Sequence, residues 1–460
     1  MPADAPLPLP LSYASADGWI RHGTVSAVSR RKTRVVMPGL AIGACVQVEC
    51  RGRPDIVAEV VDLDGSCATC VPLGEATGVV TGARATSTGA RIGSFVGGTL
   101  LGQDTDAWGR TRGIRDARVI CAGDPIGLSE RVAIARTLHT GVAAIDAFAP
   151  LGYGQRIALF AGAGVGKTTL LRRIVENAVV DARIIALVGE RGREAAELIG
   201  SLRTDPRRST TTVVCATADA PALERLAAIR TATLHARTLA AEGRDVLLVV
   251  DSLTRAATAW REHALEAGES PAHRGHPPSL ASVLASLVER AGAWSGGSVT
   301  GIYSVLVDGD DVREPVTDSV RGLLDGHIVL SRRLAEAGNF PPIDVLRSLS
   351  RLMPNVASDT HRADASAVRA ALATLEQSED LFAIGAYEPG GDAALDAAVA
   401  VRDEITALLF GEPVAGKSSP ARMLEALASI AGRLRPATKP ATEPRRSGAH
   451  GVGKRRGARR

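Results

Sequence analysis

At 460 residues the chain has length for about three domains, and a composition that is 45% hydrophobic and 23% charged excludes both a disordered polymer and an integral membrane protein. No run approaches the ~18 apolar residues of a bilayer span, and the Pro- and Ala-rich start lacks the basic and apolar stretches of a secretory signal, so a cytoplasmic location is expected. The net charge of +4 is unevenly placed: residues 436–460 hold eight Lys/Arg against Glu443 alone, a net +7, which leaves −3 for residues 1–435.

In chain order, Pro2, Pro6, Pro8 and Pro10 break any helix at the start, and residues 1–18 read as disordered. Short alternating segments follow (Val25 to Val28, Thr33 to Val36, Val46 to Val48, Ile56 to Val61, Val79 to Val80), separated by Gly, Asp and Pro, which predicts a small antiparallel barrel or sandwich over 19–88. Four of the six cysteines fall here, and Cys67-Ala-Thr-Cys70 raises the question of zinc. Cys45 and Cys50, however, are five apart on a strand-like segment and point to opposite faces, so buried or incidental thiols are the preferred reading, without disulfides. A Gly-rich connection occupies 89–150.

From Gln155 to about Leu330 the pattern becomes apolar runs separated by helix-like segments. The runs are Ile157 to Phe160, Ile184 to Val188, Val213 to Ala216, Val246 to Val250, Ile302 to Val307 and Ile328 to Leu330. Continuous apolar runs imply strands buried on both faces, hence a doubly wound parallel sheet in an α/β domain. Between the first run and a helix-like stretch lies Ala161-Gly162-Ala163-Gly164-Val165-Gly166-Lys167-Thr168-Thr169. Glycines let successive N–H groups turn inward on phosphate oxygens, Lys167 reaches the β/γ-phosphates and the Thr168 hydroxyl ligates Mg²⁺. ATP and Mg²⁺ are therefore the expected ligands. The first position needs only a small residue, and Ala161 serves.

Two carboxylates end core strands. Asp251 closes Val246 to Val250 and is placed to support the Mg²⁺ shell, while Glu190 follows Ile184 to Val188 and is placed to orient the attacking water. A literal phosphate-loop match at Gly411 to Ser418 is read as false, because a helix-like segment rather than a strand precedes it and Ser419-Pro420 follows. After Met353 the chain turns Ala-rich, with helical spacing in Ala365 to Leu375, Leu395 to Leu409 and Met423 to Ile430, so 354–435 is expected to be a helical domain. The basic segment 436–460 reads as a disordered tail that solubilises the chain or attracts anionic surfaces.

Six segments taken together (Gly162 to Thr168, Gly189 to Glu194, Leu248 to Arg255, Arg274 to Ser279, Leu324 to Arg332 and Ser348 to Arg351) resemble the export ATPases of bacterial type III secretion, flagellar and injectisome, which are related to the catalytic subunit of rotary ATP synthases. The resemblance runs from about residue 90 to 395. It implies a RecA-like core over 89–353, preceded by the barrel, and a homohexameric ring with ATP at subunit interfaces. It further implies that Arg191 contacts the γ-phosphate, that Arg351 reaches a neighbour's site as an arginine finger, and that Phe340 packs against adenine; by motif the loop Gly162 to Thr169 holds the nucleotide. Export-gate and stalk proteins, a regulatory subunit and chaperone–substrate complexes are the implied partners, at the inner face of the cytoplasmic membrane and without nucleic acid. The wording of Leu324 to Arg332 favours the flagellar branch. Trp260, His276 and Ala281 depart from the family pattern, and the prolines at the start put helical docking of the regulatory subunit in doubt. A rotary synthase subunit and a nucleic-acid-translocating ring are the alternatives; Gly192 after Glu190-Arg191 and an aromatic content of 3% weigh against them.

Overall fold

The computed structural model describes residues 9–13, 18–29, 31–74, 76–112, 117–121, 127–307, 315–411 and 419–435. The literal motif match beyond Gly411, the prolines at 2, 6 and 8 and the basic tail lie outside the described residues. Six antiparallel strands, Arg21–Val28, Thr33–Val36, Cys67–Pro72, Ile56–Asp64, Cys45–Val48 and Arg84–Ser87, follow one another around a closed barrel. Its interior is filled by residues that include Val25, Val35, Val46, Val48 and Val60 together with the small Ala58, Ala68 and Ala85. Four of the expected segments are strands. Val79 and Val80 are not: Val79 is buried in a turn closed by its N–H to the Ala76 carbonyl, so burial rather than pairing explains its apolar character. The Cys67-Ala-Thr-Cys70 stretch is itself a barrel strand. Cys50 packs inside the barrel, whereas Cys45 joins the apolar cluster between barrel and core.

The disorder expected of residues 1–18 fails at Leu11–Ser12, which pairs antiparallel with Arg91–Ile92 while Gly93 N–H donates to the Pro10 carbonyl. The reason is apolar: Leu9 and Leu11 pack against the main core.

That core surrounds a sheet whose strands run in the order Asp104–Thr105, Thr211–Thr217, Ala182–Glu190, Asp245–Asp251, Gly297–Leu306, Arg156–Ala161, Gly326–Val329 and Leu349–Ser350, with Gly292–Trp294 branching off Gly297–Leu306. Pairing is parallel from the first of these through Gly326–Val329, and antiparallel for Leu349–Ser350 and for Gly292–Trp294. Helices Ala222–Ala241 and Leu253–Ala267 cover one face and Lys167–Asn177 and Gly192–Arg203 the other. Ala158 and Phe160 therefore belong to one apolar cluster and Ile157 and Leu159 to the opposite one, which is why the strand carries no polar alternation. Helices Asp359–Gln377, Ala393–Phe410 and Pro420–Leu434 pack on one another and on Ala143–Phe148, extending the second cluster. The expected fold class, a barrel followed by a parallel-sheet α/β core and a helical C-terminal region, is the one observed. Among the described residues no helix is long and apolar enough to cross a membrane.

Candidate active site

Five residues separate the end of strand Arg156–Ala161 from the start of helix Lys167–Asn177, and the turn between them depends on Gly164 at φ +76° and Gly166 at φ +90°, conformations that strain any L side chain. Ala161 is buried and still paired with Leu306, so the first motif position lies inside the sheet, where a methyl group fits. Val165 plugs the loop from below, and Ala163, Gly164, Thr168 and Thr169 face outward. Lys167 is turned inward. Its ammonium forms an ion pair with Asp251, at the end of the strand two places along the sheet, and Ser304 Oγ donates to the same Asp251 Oδ1 at 2.6 Å. Both charged groups are buried.

Glu190 sits at the same sheet edge. Pairing with the neighbouring strand slips between Val188 and Glu190, and Gly189 takes φ +66°, a bulge that re-aims the carboxylate. Glu190 is 6% exposed and paired with Arg255, whose Nη1 also donates to the Gly189 carbonyl at 2.6 Å. Burial, and then the nearby Asp251 carboxylate, push the Glu190 carboxyl up to about 7, against the opposing pull of Lys167 and Arg255.

The other expected site residues are distributed unevenly. Phe340 is half exposed, and its ring lies 3.7 Å from where a Cβ on Gly166 would stand, so it flanks the phosphate loop. Arg191 points outward and pairs at 3.3 Å with Glu194, in the first turn of the helix that follows it. Arg351 is not brought to the loop at all. Ser350 pairs with Gly326, Arg351 N–H donates to the Asp325 carbonyl at 2.9 Å, and its guanidinium donates to the Arg321 carbonyl at 3.2 Å. Because His327 is level with Ala158 and Ser350 with Gly326, Arg351 is level with Arg156, at the opposite end of the strand from Gly162 and roughly 20 Å away along it at ~3.3 Å per residue.

Three residues at this edge escaped the reading of the sequence: Arg255, Ser304, and Arg332, whose Nη2 donates to the Ala163 carbonyl at 3.3 Å. Arg255 and Arg332 each end a stretch quoted for the resemblance, the one signal that could have found them. Trp260, one of the departures, has a partner too. Its Nε1 donates to Ser279 Oγ at 2.8 Å, and Ser279 Oγ donates to Glu269 at 2.6 Å, which closes the loop between helix Leu253–Ala267 and helix Leu280–Val288. A cleft of about 390 Å³ opens beside Gly162, bordered by Arg321, His327 and Ser331.

Residues 141–350 match the ATP synthase alpha/beta family nucleotide-binding domain, and residues 357–428 the T3SS EscN ATPase C-terminal domain. The chain is 40% identical over 405 residues to the SPI-2 type 3 secretion system ATPase of Salmonella typhimurium, covering 87% of this chain and 93% of that protein. To the flagellum-specific ATP synthase of Treponema pallidum it is 41% identical over 397 residues, covering 84% and 88%. In structure it resembles the assembled ATPase EscN of the enteropathogenic E. coli type III secretion system, with a TM-score of 0.83 at 36% identity over 89% of this chain and 100% of EscN. It also resembles EscN in complex with its central stalk EscO, with a TM-score of 0.80.

Proposed function

The chain belongs to the type III secretion ATPase family, which has flagellar and injectisome members, and from that premise we propose that it hydrolyses ATP at sites shared between protomers of a homohexameric ring, energising protein export. One observation supports the sharing above the rest: Lys167, Asp251 and Glu190 gather at one edge of the sheet while Arg351 is held at the other, so a site needing all four draws on two chains. The N–H groups of Gly162 to Gly166 and the Lys167 ammonium bind the phosphates, and Phe340 lies against the base. Thr168 and Asp251 would hold Mg²⁺, which neutralises charge on the phosphates when bound. A buried carboxylate beside an exposed hydroxyl fits an ion carried by the nucleotide, and among the described residues no group of three or more His, Cys, Asp or Glu gathers to cage one.

Glu190 orients a water in line with the γ-phosphate and accepts its proton. The water oxygen bonds to phosphorus, the bond from that phosphorus to the β,γ-bridging oxygen breaks, and ADP and phosphate leave. Arg351 of the adjacent protomer and Arg191 meet the charge on the transferring group. In this reading the turnover releases export substrates from their chaperones beneath a membrane gate and a stalk, in a flagellum rather than an injectisome on the wording of Leu324 to Arg332. The test is ATP turnover per protomer against protein concentration. It should rise as rings form, be lost in Lys167→Ala and fall roughly a hundredfold or more, to a measurable residue, in Glu190→Gln; concentration-independent turnover, or full activity in either variant, would defeat the proposal.

A further inference from the structure

We infer that Arg255 is the positioning residue for Glu190, gripping the strand end so that the carboxylate faces the phosphate loop. The inference rests on the role proposed above for Glu190. A single nitrogen, Nη1, contacts both the Glu190 carboxylate and the Gly189 carbonyl, so the guanidinium ties the side chain to the bulge that aims it. The bulge in turn is shaped for the arginine. A Cβ on Gly189 would lie 3.3 Å from both Cβ and Cδ of Arg255, and the glycine that supplies φ +66° also makes room for the arginine stem.

The arginine is itself anchored on both sides. Ser252 Oγ caps the helix Leu253–Ala267 by accepting from Arg255 N–H at 3.3 Å, and Thr254 Oγ1 accepts from Leu306 N–H at 2.9 Å, pinning the first turn to the adjacent strand. A cation in a first helical turn opposes the helix dipole, so this placement does not serve the helix and has to be offset by a carboxylate partner. The neighbouring cations are committed elsewhere, Lys167 to Asp251 and Arg225 to Glu262. With Glu190 6% exposed, the pair is not a solvated surface contact, and its geometry is set by buried backbone on both sides. The turn after Asp251 thus serves two carboxylates: it carries Asp251 itself and, four residues on, the group that holds Glu190.

A double-mutant cycle on the full-length ring tests this, with kcat and KM for ATP measured in Arg255→Gln, Arg255→Lys, Glu190→Gln and the Arg255→Gln/Glu190→Gln pair. Arg255→Gln should lower kcat roughly tenfold or more and leave KM within about twofold, and Arg255→Lys should recover part of the loss. In the Glu190→Gln background the same Arg255 change should cost less than about twofold, because the arginine acts only through the missing carboxylate. Equal losses in both backgrounds would overturn the inference, as would a raised KM at unchanged kcat, which would place Arg255 on the nucleotide. Should Arg255→Gln fail to fold by thermal melting, Arg255→Lys carries the same cycle. Inactive Glu190→Gln with active Arg255→Gln sinks the inference alone; fully active Glu190→Gln sinks it together with the proposed role of Glu190.

Discussion

If the two halves of each site come from different chains, two dead variants should revive each other. Lys167→Ala removes the cation from the loop and Arg351→Ala removes the group held at the far edge, each leaving the other edge intact. The exposed Arg351 side chain donates to the Arg321 carbonyl, so its truncation should leave the protomer folded while removing the ~10³–10⁵ in rate that an arginine finger would supply. In rings assembled from an equal mixture, a site is complete when its own chain keeps Lys167 and its neighbour keeps Arg351. Random closure of a symmetric ring gives this at roughly one interface in four, so the mixture should recover about a quarter of the native turnover. The assay is steady-state phosphate release from each variant alone and from the mixture, under conditions where rings form and exchange. Recovery absent at every mixing ratio, although the mixture forms rings, would refute the sharing of sites. So would an Arg351→Ala ring that works unaided.

Other outcomes follow from the same geometry. With Glu190 pushed up to about 7, kcat/KM should fall about tenfold per pH unit below 7, since the protonated carboxyl accepts nothing from water; a profile flat to pH 5.5 would contradict the role proposed for it. His235 is fully buried between Gly97 N–H and Thr212 Oγ1, and burial, helped by Arg244, lowers it from 6.5 to about 4. Its folded form resists a proton that the unfolded chain takes up, so the stability it contributes is whole above pH 6.5 and is lost as pH falls toward 4, by ~3 kcal/mol; urea titrations of native and His235→Gln chains at both ends of that window measure it. Trp260→Phe keeps an aromatic ring and deletes the N–H to Ser279, which should cost about 1 kcal/mol and quicken amide exchange over residues 268–279 while the phosphate loop exchanges as before.

The sheet was legible because its strands are buried on both faces, and a run such as Val246 to Val250 has no polar position to disguise it. The phosphate loop was legible because its chemistry is local: a strand end, glycines and a helix start within a dozen residues. What escaped was short or distant. Asp104–Thr105 and Leu11–Ser12 are two-residue strands whose pairing comes from neighbours elsewhere in the chain, and Cys67–Pro72 alternates small residues that fit a narrow barrel but give no apolar rhythm. Arg255 meets Glu190 across 65 residues and Arg332 meets Ala163 across 169, separations over which composition and periodicity carry no signal.

A parallel sheet gives every strand the same polarity, so the carboxyl ends of three strands deliver Ala161, Glu190 and Asp251 to one edge without any long loop. The same polarity separates them from Arg351. Bringing that arginine to its own loop would mean stripping Leu349–Ser350 from Gly326–His327 and carrying it the length of a buried strand, and Arg369 also holds the Ser348 carbonyl in place. If the arginine edge serves a neighbour, as proposed, the protomer is a head-to-tail unit, and repeating the contact by rotation closes a ring in which no edge is left over. At the phosphate edge Lys167 is paired with Asp251 and Glu190 with Arg255, so each of these four charges has a partner of opposite sign within the protomer. Under the proposed mechanism the nucleotide phosphates would compete with Asp251 for the lysine, and the carboxylates would then serve metal and water only where the facing edge belongs to a neighbouring protomer.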